Sequence, residues 1–260
     1  MKKHFFSKLL SVLFLLFATT ACEKINEEPS DENGNNTVEE FDPLELVNQY
    51  FTQEQQDLAN TAKDVSYLTD EEKLVIFYCN LARLDGQTFS DALLNLRNSE
   101  DTCEKTLVEA LDTTKDLPML FPNEQLCNAA AAHASDLGTN GLLQHESSDG
   151  TKPFDRIREY YHGNAMAENV AAGNGKAFFI VRQLLIDRGS STYGHRKTIL
   201  SSKFCRIGVA INEHTKYKYC CVQDFSDDKG EKNLLLCIKI ILTYNLQTQI
   251  LYYRETNCLR

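Results

Sequence analysis

The sequence predicts an α+β domain. Apolar residues recur at helical spacing behind well-formed N-caps through the first two thirds of the chain, and beyond residue 206 the pattern changes to the alternation of strands. A third observation bounds the domain: an apolar leader and an acidic polar stretch come first, leaving material for one good core plus small additions. The 260 residues divide as 1–21 leader, 22–42 tether, 43–68 helical extension, 69–226 main domain and 227–260 C-terminal extension.

The leader has the form of an export signal. Lys2, Lys3 and Lys8 give a basic start, Leu9 to Phe17 an apolar run, and Ala21 a small residue before Cys22. That run is too short to span a bilayer. Thr19-Thr20-Ala21-Cys22 resembles a bacterial lipobox, with Thr19 where Leu is usual; cleavage there leaves Cys22 as a lipid-bearing N-terminus. An ordinary secretory cut near Ala21 is the alternative. Lipid adds roughly 0.8 kcal/mol of membrane affinity per buried CH₂, so several acyl chains hold a protein stably.

From Cys22 to Asp42 there are eight acids, one lysine and few large apolar groups, the composition of a disordered tether. Acids soon after a lipid cysteine resemble the surface-export signals of some Gram-negative lipoproteins. The expectation is therefore a cell-envelope protein, anchored in the outer membrane and displayed at the surface. Losing the leader removes three lysines and no acids, leaving 24 basic against 37 acidic residues, a formal charge of −13. Such a chain is repelled by nucleic acid and anionic headgroups, and nothing in it resembles a nucleic-acid module.

Order begins at Asp42-Pro43-Leu44-Glu45, an N-cap, a proline at the first helical position and a first-turn acid, with a short helix to about Phe51. Thr69-Asp70-Glu71-Glu72 is a capping box. Leu74, Phe77, Tyr78, Leu81 and Leu84 then share a face of a helix ending near Asp85-Gly86. Pro122-Asn123-Glu124 opens another helix, with Ala129 to Ala132 as a small-residue face, Gly138 as the stop, and His133 expected to be a structural or surface histidine. Between Lys176 and Arg188, Phe178, Val181, Leu184 and Leu185 form a further apolar face. Gly173-Asn174-Gly175 reads as a turn. Ile207, Val209 and Ile211, then Tyr217 to Phe225, alternate on either side of Glu213-His214-Thr215, an antiparallel hairpin.

Between Leu142 and Phe225 runs an ordered series: LLQHESSDG, AENVAAG, LLIDRG, GHRKTIL, IGVA and CVQDF. In that order the pieces resemble the CAP superfamily, the cysteine-rich secretory, antigen 5 and pathogenesis-related proteins, in its bacterial form. With FYCNLAR in the opening helix, the resemblance covers Glu71 to about Ser226. It implies a three-layer α-β-α sandwich with an antiparallel sheet. It also implies a cleft to which two histidines and two acids converge, here His145, Glu168, Asp187 and His195.

Each position has its own local character. His145 precedes the polar turn Ser147-Ser148-Asp149-Gly150, so its ring can leave a loop toward a cleft or simply be exposed. His195 follows Gly194, where the backbone can bring an imidazole close to other groups. Glu168 stands ahead of small residues and can orient an imidazole by accepting its N–H. Asp187 is the departure: relatives often carry glutamate on an aromatic-bearing helix, whereas this chain has Leu184-Leu185-Ile186-Asp187 and no tryptophan. It is shorter by one methylene, roughly 1.5 Å of reach. It reads either as a weakened second acid or as a solvated residue at a helix end.

Two imidazoles with carboxylates suit a divalent ion, zinc above all, with His145, His195 and Glu168 as the ligand set. The same groups suit metal-free acid–base chemistry. Ser147 and Ser148 lack the surroundings of a nucleophile elbow, and no HExxH, P-loop or dinucleotide fingerprint occurs. Three functions follow as expectations: a lipid-anchored envelope protein whose cleft takes a divalent ion or a peptide-like, wall-derived or lipid-like ligand; a metal-assisted hydrolase using the same residues; or an adhesion module. Besides Cys22, eight cysteines remain, an even number that allows disulfides in an exported chain. Cys220 and Cys221 are poor partners for each other, and Cys79 reads as a buried free thiol. The late run LLLCIKIIL is β-rich but too short for a membrane span.

Overall fold

A computed structural model describes residues 41–227. The leader, Cys22, almost all of the tether and the C-terminal extension, with Cys237 and Cys258, lie outside the described residues. In chain order the elements are α1 (Pro43–Tyr50), α2 (Gln53–Ala59), α3 (Asp70–Leu84), the short α4 (Gly86–Thr88) running into a π-helical turn at Phe89–Leu94, α5 (Thr102–Asp112), β1 (Phe121–Pro122), α6 (Glu124–Asn140), α7 (Pro153–Tyr160), β2 (Met166–Ala172), α8 (Ala177–Ile186), α9 (Gly194–Ile199), β3 (Arg206–His214) and β4 (Lys218–Ser226).

The expected caps are in place. Asp42 Oδ1 accepts from Leu44 N at 2.8 Å, with Pro43 in the first turn. Thr69 and Glu72 form the reciprocal capping box of α3. Glu72 has a second task, since its other oxygen accepts from Ile211 N at 2.9 Å and ties α3 to β3.

Gly138 does not end α6; the helix runs on to Asn140 and closes at Gly141, whose φ of 64° is left-handed. The reason is tertiary. A Cβ at residue 138 would lie 2.1 Å from the Glu213 carbonyl oxygen, so the missing side chain lets α6 touch the β3–β4 hairpin.

Among the described residues the sheet order is β1-β3-β4-β2, which puts β2 at an edge. β3 pairs with β4 and β4 with β2 in antiparallel register, as expected. β1, however, pairs with β3 in parallel, so the sheet is mixed rather than purely antiparallel. The chain must lie along the start of β3 before turning into α6, and Phe121 N to Cys205 O and Asn123 N to Ile207 O, both 2.9 Å, fix it there.

Period-two alternation sorts the side chains between two helical layers. Val170, Ala172, Ala210, Cys220 and Val222 face Ala130, Ala134 and Leu137 of α6. Ala171, Ile207, Val209, Cys221 and Phe225 belong to the larger core with Val75, Ile76 and Cys79 of α3 and Val181 and Leu185 of α8. Fully burying one such aliphatic or aromatic side chain stabilises by about 1.5–3 kcal/mol. The result is the three-layer sandwich.

Two polar residues of α3 bolt the layers together. Asn80 Nδ2 donates to Ala59 O at 2.9 Å and Leu120 O at 3.0 Å, while its Oδ1 accepts from Leu120 N at 2.8 Å. The fully buried Arg83 guanidinium donates to the carbonyls of Pro118, Ile199, Ser201 and Phe204. Burial lowers its pKa to about 10, which still leaves it charged at neutral pH. Cys79, Cys127, Cys220 and Cys221 are buried free thiols, as foreseen for Cys79. Burial raises the thiols of Cys79 to about 12 and of Cys127 and Cys220 to about 11, so they are inert neutral groups.

Candidate functional site

The four expected residues assemble as two histidine–carboxylate pairs. His145 lies in the loop after α6, and its Nδ1 meets Glu168 Oε1 on β2 at 2.8 Å. His195, near the start of α9, has its Nδ1 2.7 Å from Oδ1 of Asp187, the residue that closes α8. With each Nδ1 donating its proton to a carboxylate, Nε2 carries the free lone pair. Both rings reach solvent in part, their side chains being 24 % and 16 % exposed.

Glu168 sits in a dense polar cluster. Its Oε2 accepts from Arg156 Nη2, and Arg156 Nη1 also donates to Ser147 Oγ at 2.8 Å and His145 O at 3.2 Å, so one guanidinium binds the acid and the loop that carries the histidine. Burial alone would raise the Glu168 pKa; the hydrogen bond from His145 and the charge of Arg156 outweigh it and hold the carboxyl below its ordinary range.

His133 belongs to this cluster and is not at the surface. It is 0 % exposed, its Nε2 is 3.1 Å from Gln144 O and 3.8 Å from Glu168 Oε1, and its Nδ1 has no partner. Burial lowers its pKa, which makes it neutral at neutral pH. A signal for it existed in the spacing of Leu126, Ala130, His133 and Leu137, which places it on the buried face of α6. Arg156 and Asp224 had no comparable signal. Asp224 on β4 pairs directly with Glu168 on β2, and burial followed by the Glu168 charge raises its pKa well above the carboxylate range.

Asp187 is only 2 % exposed, which removes the reading of a solvated helix end. Its backbone takes the left-handed conformation, φ 56° and ψ 46°, which folds the chain back so that Oδ2 accepts from His195 N at 2.9 Å and Arg196 N at 3.4 Å. Aspartate tolerates this region better than most residues. The shorter side chain is thus matched by a closer backbone. Arg196 holds the turn from beneath, donating to the carbonyls of Leu185 at 2.7 Å, Ile186 at 2.9 Å and Cys103 at 2.8 Å and to Thr106 Oγ1 at 3.1 Å.

The two pairs flank the edge strand β2 from opposite layers. Glu168 faces α6, whereas its neighbour Asn169 faces the other way, with Nδ2 3.1 Å from Gln223 Oε1 and 3.4 Å from His195 O. Among the described residues no group of three or more His, Cys, Asp or Glu is arranged to hold a metal ion. The expected set of His145, His195 and Glu168 is not gathered as a three-donor cluster, because Glu168 spends both oxygens on His145 and Arg156. On each imidazole Nε2 is the ring nitrogen that its own carboxylate does not engage.

A helical sandwich around a short sheet, with a histidine and an acid from each side of an edge strand, defines a class. Residues 76–225 match the family model described as CAP, the cysteine-rich secretory protein family, and the chain belongs to that family. The uncharacterized protein YkwD of Bacillus subtilis (strain 168) is 28 % identical over 120 residues, 45 % of this chain and 45 % of that protein. Among solved structures, an extracellular SCP-domain protein from Bacillus anthracis str. Ames has a TM-score of 0.37 and 26 % identity, over 43 % of this chain and 35 % of that one. An outer surface protein from Borrelia burgdorferi has a TM-score of 0.38 and 25 % identity, over 44 % of this chain and 80 % of that one. The chain thus spans less than half the length of the first two.

Proposed function

We propose that this CAP domain is a ligand-binding module of the cell envelope, and that the ligand is held between the Nε2 atoms of His145 and His195. One observation carries the reading. Each imidazole is locked through Nδ1 to a buried carboxylate, an arrangement that fixes the tautomer and ring angle and makes Nε2 a better electron donor. A divalent ion, zinc foremost, is the simplest group to join two such nitrogens; it would leave positions for water or for a carbonyl of a peptide-like or wall-derived ligand. On this reading Glu168 and Asp187 orient the histidines and do not bind the ion. Hydrolysis is the second reading, favoured only by the presence of two oriented imidazoles; Ser147 accepts from Arg156 and, among the described residues, has no histidine bonded to it.

Anchoring rests on the sequence around Cys22, and placement in the outer membrane at the surface on the acids that follow it. Calorimetry with zinc on the mature protein is expected to give a single site that weakens at least tenfold in both His145→Ala and His195→Ala. Unchanged zinc affinity in either variant, or no binding of any divalent ion, overturns the bridging-ion proposal.

A further inference from the structure

Asp224 is a buried acid for which neither the cleft chemistry nor the core has a use. It is 0 % exposed, and neither carboxyl oxygen meets a hydrogen-bond donor among the described residues. Its neighbours in the sheet are Glu168 on β2 and Gly208 on β3. Over Gly208 helix α6 lies so close that a Cβ there would be 2.1 Å from the Leu126 carbonyl carbon. The ionisable groups around it are Glu168, Arg156 of α7 and Cys127 of α6, with His133 of α6 beside Glu168. Of these, Arg156 commits Nη1 and Nη2 to Glu168, Ser147 and the His145 carbonyl, while His133 and Cys127 are neutral.

Two carboxyls therefore share one cation in a region shut off from solvent. Two bare carboxylates side by side there would be costly, because like charges repel strongly at low dielectric and an unpaired buried charge loses its hydration. One proton between them removes both costs. Glu168 already accepts from two donors, whereas Asp224 accepts from none, so the proton belongs on Asp224, the direct cross-strand partner of Glu168.

We infer that Asp224 is a positioning residue: it stands as a neutral carboxylic acid and donates its O–H to Glu168, fixing the carboxylate that orients His145. The inference rests on Glu168 orienting His145, whatever ligand the cleft takes. Burial and the Glu168 charge, which both favour the protonated form, support it.

Infrared spectroscopy of the full chain at neutral pH, without ligand, tests the protonation directly. The wild type is expected to show the carbonyl stretch of one buried neutral acid, absent from Asp224→Asn. Nitrogen NMR of His145 reads the positioning. Asp224→Asn, whose amide N–H still donates to Glu168, should leave the His145 Nδ1–H signal in place, whereas Asp224→Ala should shift or broaden it. No neutral-acid band assignable to residue 224, or an Asn variant that moves the His145 signal as far as Ala does, overturns the inference. Should the Ala variant fail to fold, the wild type and Asp224→Asn alone still decide it. Zinc calorimetry is a separate readout, so the ligand proposal can fail while this one stands.

Discussion

The two histidine–carboxylate pairs do the same thing to an imidazole by different physics. Glu168 is a strand residue, rigid by virtue of the sheet and balanced by charge: Arg156 opposes it, His145 donates to it and Asp224 lies beside it. Asp187 is a helix terminus, held by backbone geometry: its left-handed φ brings the N–H groups of His195 and Arg196 to its second oxygen. Each pair has a buried arginine, but only Arg156 touches its acid with the guanidinium; Arg196 spends its donors on carbonyls and a threonine hydroxyl. The lesson is that an acid one methylene short is accommodated by moving the main chain, and an acid in a crowded pocket by balancing charge.

Removing each arginine should separate these modes. Arg156→Met leaves buried carboxyls without a cation and is expected to cost about 3–5 kcal/mol, the largest effect here, read from the urea midpoint. Arg196→Met strands carbonyls rather than a charge and should cost less, about 2–3 kcal/mol. Equal losses would erase the distinction. At the second pair, Asp187→Asn keeps an oxygen acceptor and a residue type that tolerates positive φ, so it should cost about 1 kcal/mol, against roughly twice that for Asp187→Ala. If Asn and Ala cost the same, the side-chain oxygen is not what holds the turn.

The smallest and most diagnostic effect is in pH dependence. His133 has a depressed folded pKa, so its contribution is complete above the ordinary histidine value of 6.5 and is lost as pH falls toward the folded one, where the unfolded chain takes up the proton first. Glu168, also depressed, loses its contribution lower, as pH drops below the ordinary glutamate range. Asp224 is raised and runs the other way, its contribution present below the ordinary aspartate range and lost as pH rises. The acid limb of the stability curve should therefore begin near pH 6.5 and flatten there in His133→Leu; an unchanged limb would mean that His133 is not neutral in the folded protein.

Much of the fold could be read along the chain because its signals are local. Asp42, Thr69 and Asn123 cap their helices through hydrogen bonds two or three residues long, and the alternation in β3 and β4 needs only period two. The four positions His145, Glu168, Asp187 and His195 are legible through family resemblance, not spacing; how they pair is not. What the sequence hid is tertiary. Gly138 looks like a helix stop until Glu213 is placed against it, and β1 is two residues long and exists only because β3 lies alongside. Arg156 and Asp224 are an ordinary arginine on an exposed-looking helix and an acid in a strand; what gives them meaning is Glu168, 12 residues from the first and cross-strand from the second.

Arg83 carries a consequence for how this molecule tolerates change. By gathering carbonyls from Pro118 and from residues 199 to 204, it ties itself to stretches of chain 35 and more than a hundred positions away. Lengthening or shortening either connection would drag those oxygens off the guanidinium. A change of length between those stretches is thereby disfavoured, and the floor under α9, and with it His195, keeps its dimensions.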